Sequence, residues 1–165
     1  MKKLLLIAVS IVFTSSSASA QMLPPEAMVK CTSTKDVQSF MSVVKSTWLT
    51  PWGHKDWAPS TAVRSAYNQA TRNNAPCEAF TGWDKVTAGR FLAVKNFENK
   101  MVQIDLSGLE KPDVDTMRKY VSENGFKKGY TTSWETWESN DVVVEIPNTW
   151  DTRYLKISVY AKIGK

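Results

Sequence analysis

Hydrophobic and polar positions alternate most regularly between residues 101 and 161, and that stretch sets the expected fold. Val102, Ile104 and Leu106 alternate with Met101, Gln103 and Asp105, the two-residue period of a half-buried strand. Ser107-Gly108 interrupts the pattern. Pro112 and Asp113 then predict a helix start. Proline is tolerated in the first turn, where its missing N–H had no intrahelical partner, and Asp113 and Asp115 suit the positive end of the helix dipole. Val114, Met117, Tyr120 and Val121 recur at helical spacing on one face. Gly125 after Asn124 predicts the helix end, because glycine enters the left-handed region without strain.

Three strands are predicted beyond it. Tyr130, Thr132, Trp134 and Thr136 alternate with Thr131, Ser133, Glu135 and Trp137. A turn at 138–141 leads to a second strand with Val142, Val144 and Ile146 on one face. After Pro147-Asn148-Thr149, Leu155, Ile157, Val159 and Ala161 alternate with Tyr154, Lys156, Ser158 and Tyr160. The aliphatic set is expected to pack under the helix. A β-α-β-β-β order with antiparallel neighbours predicts an α+β architecture with a mainly antiparallel sheet. The opposite face carries Tyr154, Lys156, Tyr160 and one of Trp134 and Trp137. Either the N-terminal helices cover that face, or it stands open to a partner.

Upstream, Ser33 or Thr34 is placed to cap a helix with Asp36 in its first turn and Val37, Phe40, Met41, Val44 and Trp48 along one side. A second helix is expected to begin near Ser60, with Val63, Ala66, Tyr67 and Ala70 on one side, and to stop at 73–76. Residues 81–84, Thr-Gly-Trp-Asp, read as a turn. Residues 91–94 are either strand or buried helix, since periodicity cannot decide so short a run. Residues 96–100 then turn into the strand at 101, so these two runs are expected to form a hairpin.

The first residues change the picture of where the protein works. Lys2-Lys3, an apolar run from Leu4 to Phe13, and Ala18-Ser19-Ala20 form a secretory signal peptide with an A-x-A cleavage site. Cleavage leaves Gln21 first, not the cysteine that lipid anchoring requires, and residues 21–165 as a single domain. No later stretch is apolar enough for a transmembrane helix, so no stable membrane insertion is expected after cleavage, and the protein is expected to be periplasmic or secreted. Cleavage removes two lysines and no acid, so the net charge falls from +5 to +3. That charge is spread along the chain, without the dense basic block that nucleic-acid binding needs.

Cys31 and Cys77 are the only cysteines. An even count in an exported chain predicts a disulfide, here stapling the front of the first helix to the end of the second. The expected fold is thus a stapled N-terminal helical hairpin packed with the sheet. A metal site is not expected, because the cysteines form no C-x-x-C pair and the chain has one histidine. The sequence carries no P-loop, dinucleotide fingerprint, H-E-x-x-H or G-x-S-x-G, and no cofactor is expected.

Candidate chemistry sits on aromatic residues. The loop at 49–59 holds Trp52, His54, Asp56 and Trp57 between two prolines. Rigid indoles on such a loop serve as binding anchors, or plug the core with their N–H groups satisfied. His54 next to Lys55-Asp56 is too weak a pattern to assign catalysis. Trp134 and Trp137 flank Glu135 and precede Glu138, an arrangement that would suit one edge of a glycan cleft if the two acids faced one substrate. The expectation is a small exported binding protein of the bacterial envelope, of inhibitor, immunity or assembly-factor type, acting on another envelope or secreted protein. The alternative is a cell-wall glycan-binding module or hydrolase.

Overall fold

A computed structural model describes residues 23–47, 52–54, 57–60, 77–84, 89–96, 98–130, 134–148 and 155–162. The signal segment, the second predicted helix at 63–70, Asp56 and Tyr154 lie outside the described residues. The elements run α1 (Pro25–Ser33), α2 (Val37–Thr47), β1 (Trp52–His54), β2 (Ala58–Ser60), β3 (Cys77–Asp84), β4 (Arg90–Asn96) and β5 (Met101–Leu109). Then follow α3 (Lys111–Glu123), β6 (Lys127–Tyr130), β7 (Trp134–Glu138), β8 (Val142–Pro147) and β9 (Leu155–Ala161).

All described strands join one sheet, ordered β1-β3-β4-β5-β9-β8-β7-β6, with β2 also on β3. Every described pairing is antiparallel. β1 and β2 share the outer edge of β3: Trp52–His54 lie opposite Asp84–Gly82, and Ala58–Ser60 opposite Ala79–Cys77. They act as one interrupted edge strand, so the sheet has eight strand positions. The three described helices pack on one face. α1 lies over β5 and β9 and touches α3, which covers β8 and β9. The main core lies between, with Met28, Phe40, Ile104, Val114, Met117, Val144, Ile157 and Val159 almost wholly enclosed. Full burial of each such aliphatic side chain contributes about 1.5–3 kcal/mol.

This overturns the β-α-β-β-β order. Tyr130 and residues 134–137 do not share one strand but belong to two, β6 and β7, which pair antiparallel with each other. The predicted turn at 81–84 is the end of β3, the longest strand of the N-terminal half. Gly82 made it look like a turn. In the sheet this glycine lies opposite Phe91, whose ring occupies the space where a Cβ at 82 would go. Phe91 also stacks on Phe80 at 5.9 Å and meets Phe40 edge-on at 5.7 Å. The glycine is there to admit a core aromatic. Ser107-Gly108 does not end β5 either. Gly108, at φ +71°, absorbs a β-bulge, and pairing resumes at Leu109 opposite Leu155.

The helical hairpin is also different. α1, started by Pro24-Pro25 with Glu26 in its first turn, is not announced by the sequence pattern, and it packs against α2. Ser60 and Pro59 belong to β2. At the α1 end, Lys35 donates its N–H to Thr32 O and Asp36 donates to Cys31 O, with Lys35 at φ +57°, a Schellman stop occupied by lysine instead of glycine. Asp36 then caps α2, its carboxylate accepting from the Ser39 N–H at 3.0 Å and the Ser39 hydroxyl at 2.6 Å. Met101 donates its N–H to Lys35 O, which fastens this joint to the start of β5. The α3 start follows expectation: the Asp113 carboxylate accepts the Glu110 N–H at 3.0 Å. The hairpin of β4 with β5 across 96–100 follows it as well.

No disulfide joins the cysteines. Cys31 sits on α1 in the main core, whereas Cys77 belongs to a smaller cluster with Val94 and Val102 on the other side of the sheet. Even cysteine number says nothing of which face each thiol occupies. Burial raises both thiol pKa values, helped at Cys31 by the Asp36 charge.

Two outcomes are expected. Gly82→Ala should lower stability by about 1–3 kcal/mol, because the Phe91 ring is wedged between Phe80 and Phe40 and has nowhere to move; a denaturation midpoint unchanged from wild type would contradict this. Thiol titration should find two reactive cysteines in denaturant and almost none in the folded protein, and a reducing agent should leave the melting temperature unchanged.

Candidate functional site

The antiparallel register settles which side chains share a face. Phe80, Phe91, Ala93, Ile104, Leu106, Leu155, Ile157, Val159, Val142, Val144 and Ile146 face the helices. Their strand neighbours face the other way, and none of the described helices lies there. On this second face the pairs Trp83↔Arg90, Arg90↔Ser107 and Ser107↔Lys156 place one residue from each of β3, β4, β5 and β9 in a single row. A second row, one pleat along, runs Thr81, Leu92, Asp105, Ser158, Glu145. A third runs Ala79, Val94, Gln103, Tyr160, Val143.

The polar content of this face rises toward its centre, the reverse of an ordinary solvent face. Gln103, Asp105 and Ser158 are 0%, 6% and 1% exposed. Polar groups held that far from water need partners. Lys156 supplies one, its ammonium 2.6 Å from Asp105 Oδ2. Tyr160 donates its hydroxyl to Glu145 Oε1 at 2.9 Å. Asp105 Oδ1 is buried with no hydrogen-bond partner. Beside it an open cleft of about 550 Å³ is lined by Thr81, Trp83, Arg90, Asp105, Ser107 and Lys156 among others. The cleft therefore combines a half-buried indole, two cations, two hydroxyls and the carboxylate that pairs with Lys156.

The residues singled out from sequence do not gather in one place. Trp57 is half-buried against the main core, 5.6 Å from Phe80, with the Lys95 ammonium 4.7 Å over its ring. Trp137 is 7% exposed on the same face but on β7. β3 and β7 are five strand steps apart in the sheet order, roughly 24 Å. Trp134 is half-buried and lies opposite Pro147 on the second face. Trp52 and His54 form edge strand β1; their side chains, like Asp56, lie outside the described residues.

Glu135 and Glu138 point to opposite sides of β7. Glu135 Oε2 accepts from the Trp137 indole N–H at 3.1 Å, from Arg118 Nε at 3.3 Å, and faces Lys128 Nζ at 3.3 Å. Burial pushes this carboxyl upward, but the indole N–H and the two cations outweigh it and hold the pKa below the ordinary glutamate value. Glu138 is exposed and pairs with Lys162 at 2.7 Å. Two acids on opposite faces cannot flank one glycosidic bond, and the depressed pKa of Glu135 does not suit a proton donor. Glu135 instead ties α3 to β6 and β7.

Trp83, Arg90, Asp105 and Ser107 are not singled out by the sequence, because residues 81–84 read as a turn and the alternation at 101–106 does not say which strands lie beside it. The available signal was the pairing of two strongly alternating strands, 101–106 and 154–161, whose polar positions are unusually small or hydrogen-bonding: Gln103, Asp105, Ser107 against Lys156, Ser158, Tyr160. Among the described residues no group of His, Cys, Asp or Glu is arranged to hold a metal ion, and no helix is long and apolar enough to cross a membrane. No protein-family model, curated protein or solved structure matches this chain.

The Glu135 cluster has a pH signature. A carboxyl whose folded pKa is depressed contributes stability that is complete above its unfolded value and lost as pH falls through the folded one. Unfolding stability should therefore drop as pH falls below about 4.5. Glu135→Gln should be less stable than wild type at neutral pH and should narrow that gap in acid; a gap independent of pH would mean the carboxylate charge is not what the cluster uses.

Proposed function

We propose that this is a small exported binding protein that engages another envelope or secreted protein, in the manner of an inhibitor, immunity protein or assembly factor. It does so with the sheet face opposite its described helices. The observation that carries this is the in-register row Trp83, Arg90, Ser107, Lys156 at a 550 Å³ cleft. Interfaces draw much of their energy from indole and guanidinium groups set in a partly desolvated pocket, and here one of each lies side by side on a rigid sheet. The signal sequence at residues 1–20 supports export. The aromatic loop expected to bind is in part committed elsewhere, since Trp57 is packed on Phe80. A wall glycan is the second reading, favoured by Trp83 at the cleft, since sugars stack on indoles.

A photo-cross-linking residue placed at Thr81, inside the cleft, should trap a discrete partner protein in the exporting cell. The same group at exposed Ser122 on α3 should not, and Trp83→Ala should reduce the Thr81 product about tenfold, the scale of an aromatic hot spot. Equal trapping at both positions, or trapping indifferent to Trp83, would remove this face as the interface. Trp83-dependent sedimentation with purified wall polymer, with no protein trapped, would decide for the glycan.

A further inference from the structure

We infer that the cleft is a carboxylate receptor: the group of the partner that it seats is an acidic side chain or a chain terminus, gripped by Arg90 over Ser107 with Trp83 as the wall. This rests on the second face being the binding surface and names what that surface recognises.

Three features lead there. The first is spacing. Arg90 and Lys156 stand on either side of Ser107 in one cross-strand row, their backbones two strand steps apart, roughly 10 Å. The small residue between two long cations leaves a floor, with a hydroxyl, on which an anion can rest. The second is charge. Lys156 is committed to Asp105 at 2.6 Å. Arg90 is exposed, and among the described residues no carboxylate pairs with it. Among the described residues lining it, the cleft therefore carries one guanidinium in excess. A guanidinium presents two parallel N–H groups at the spacing of two carboxylate oxygens. The third is Trp83, half-buried beside Arg90 in the same row, a flat wall on which an apolar group attached to a carboxylate can stack. A nearby aspartate also weighs against phosphate, whose second negative charge Lys156 is not free to offset.

The test uses nuclear magnetic resonance of the full mature chain, reading the Trp83 indole N–H and the Arg90 Nε–H. The probes are N-acetylphenylalanine, which has a terminal carboxylate, N-acetylaspartate α-methylamide, which has a side-chain carboxylate, N-acetylphenylalanine amide, which has none, and inorganic phosphate. At least one carboxylate probe should shift both signals saturably, and which one does so identifies terminus or side chain as the source. The neutral amide should bind about tenfold more weakly or not at all, and Arg90→Gln should weaken the carboxylate by a similar factor while leaving the melting temperature unchanged. Equal binding of the amide, tighter binding of phosphate, indifference to Arg90→Gln, or no shift by either carboxylate would each overturn the assignment. If Thr81 still traps a partner in a Trp83-dependent way when the carboxylates fail, the binding face stands and only its carboxylate preference falls.

Discussion

The pairing of β5 with β9 is the constraint on which the rest depends. Each of these strands buries its aliphatic half under the helices and its polar half on the second face. β5 ends one antiparallel meander, β3-β4-β5, and β9 ends another, β6-β7-β8-β9. α3 carries the chain from β5 to the far edge, and four strands bring it back. The gap left beside β5 is filled by the last strand to emerge. Until then β5 and β8 both expose unpaired backbone groups, and the core above them is open. Closing the segment between β5 and β9 carries a loop-entropy cost that the neighbouring hairpins do not, and the joint it makes holds both halves.

Much of the second half was legible because its strands obey a strict two-residue period and its helix is punctuated at both ends. The alternations at 101–106, 142–146 and 155–161 appear as strands, and 111–123 as a helix. The failures share a cause: local punctuation carried a different meaning in three dimensions. Gly82 marks a ring packed over a strand. Gly108 marks a bulge. Pro24-Pro25 marks a helix start that lacked a long apolar stripe to announce it, because α1 buries only Met28, Cys31 and Thr32 in nine residues. The candidate site was less legible. Its members come from four strands, and only the register brings them together.

The two sheet faces follow different physical rules. Under the helices, burial is apolar and packing decides. On the second face, buried polar positions sit among apolar ones such as Val94 and Val143, and the polar ones call for partners: Lys156 with Asp105, Tyr160 with Glu145. Such matching is directional, so it holds side chains in fixed positions where apolar contacts would let them adjust. A face of this kind suits recognition of a defined polar group, and the cleft beside Trp83 lies where that ordered region meets solvent. The Glu135 cluster uses similar groups to a structural end, locking α3 against the β6–β7 hairpin.

The separation of the two cysteines has a consequence for how this chain matures. With a sheet standing between Cys31 and Cys77, a bond between them is incompatible with the native packing. The bridge can form only in chains that have not yet folded, where it would act as a kinetic trap. In an oxidising compartment, reaching the native state thus becomes a race in which burial of the thiols must outrun their oxidation, and any oxidoreductase that meets the nascent chain would serve it best by undoing that bond.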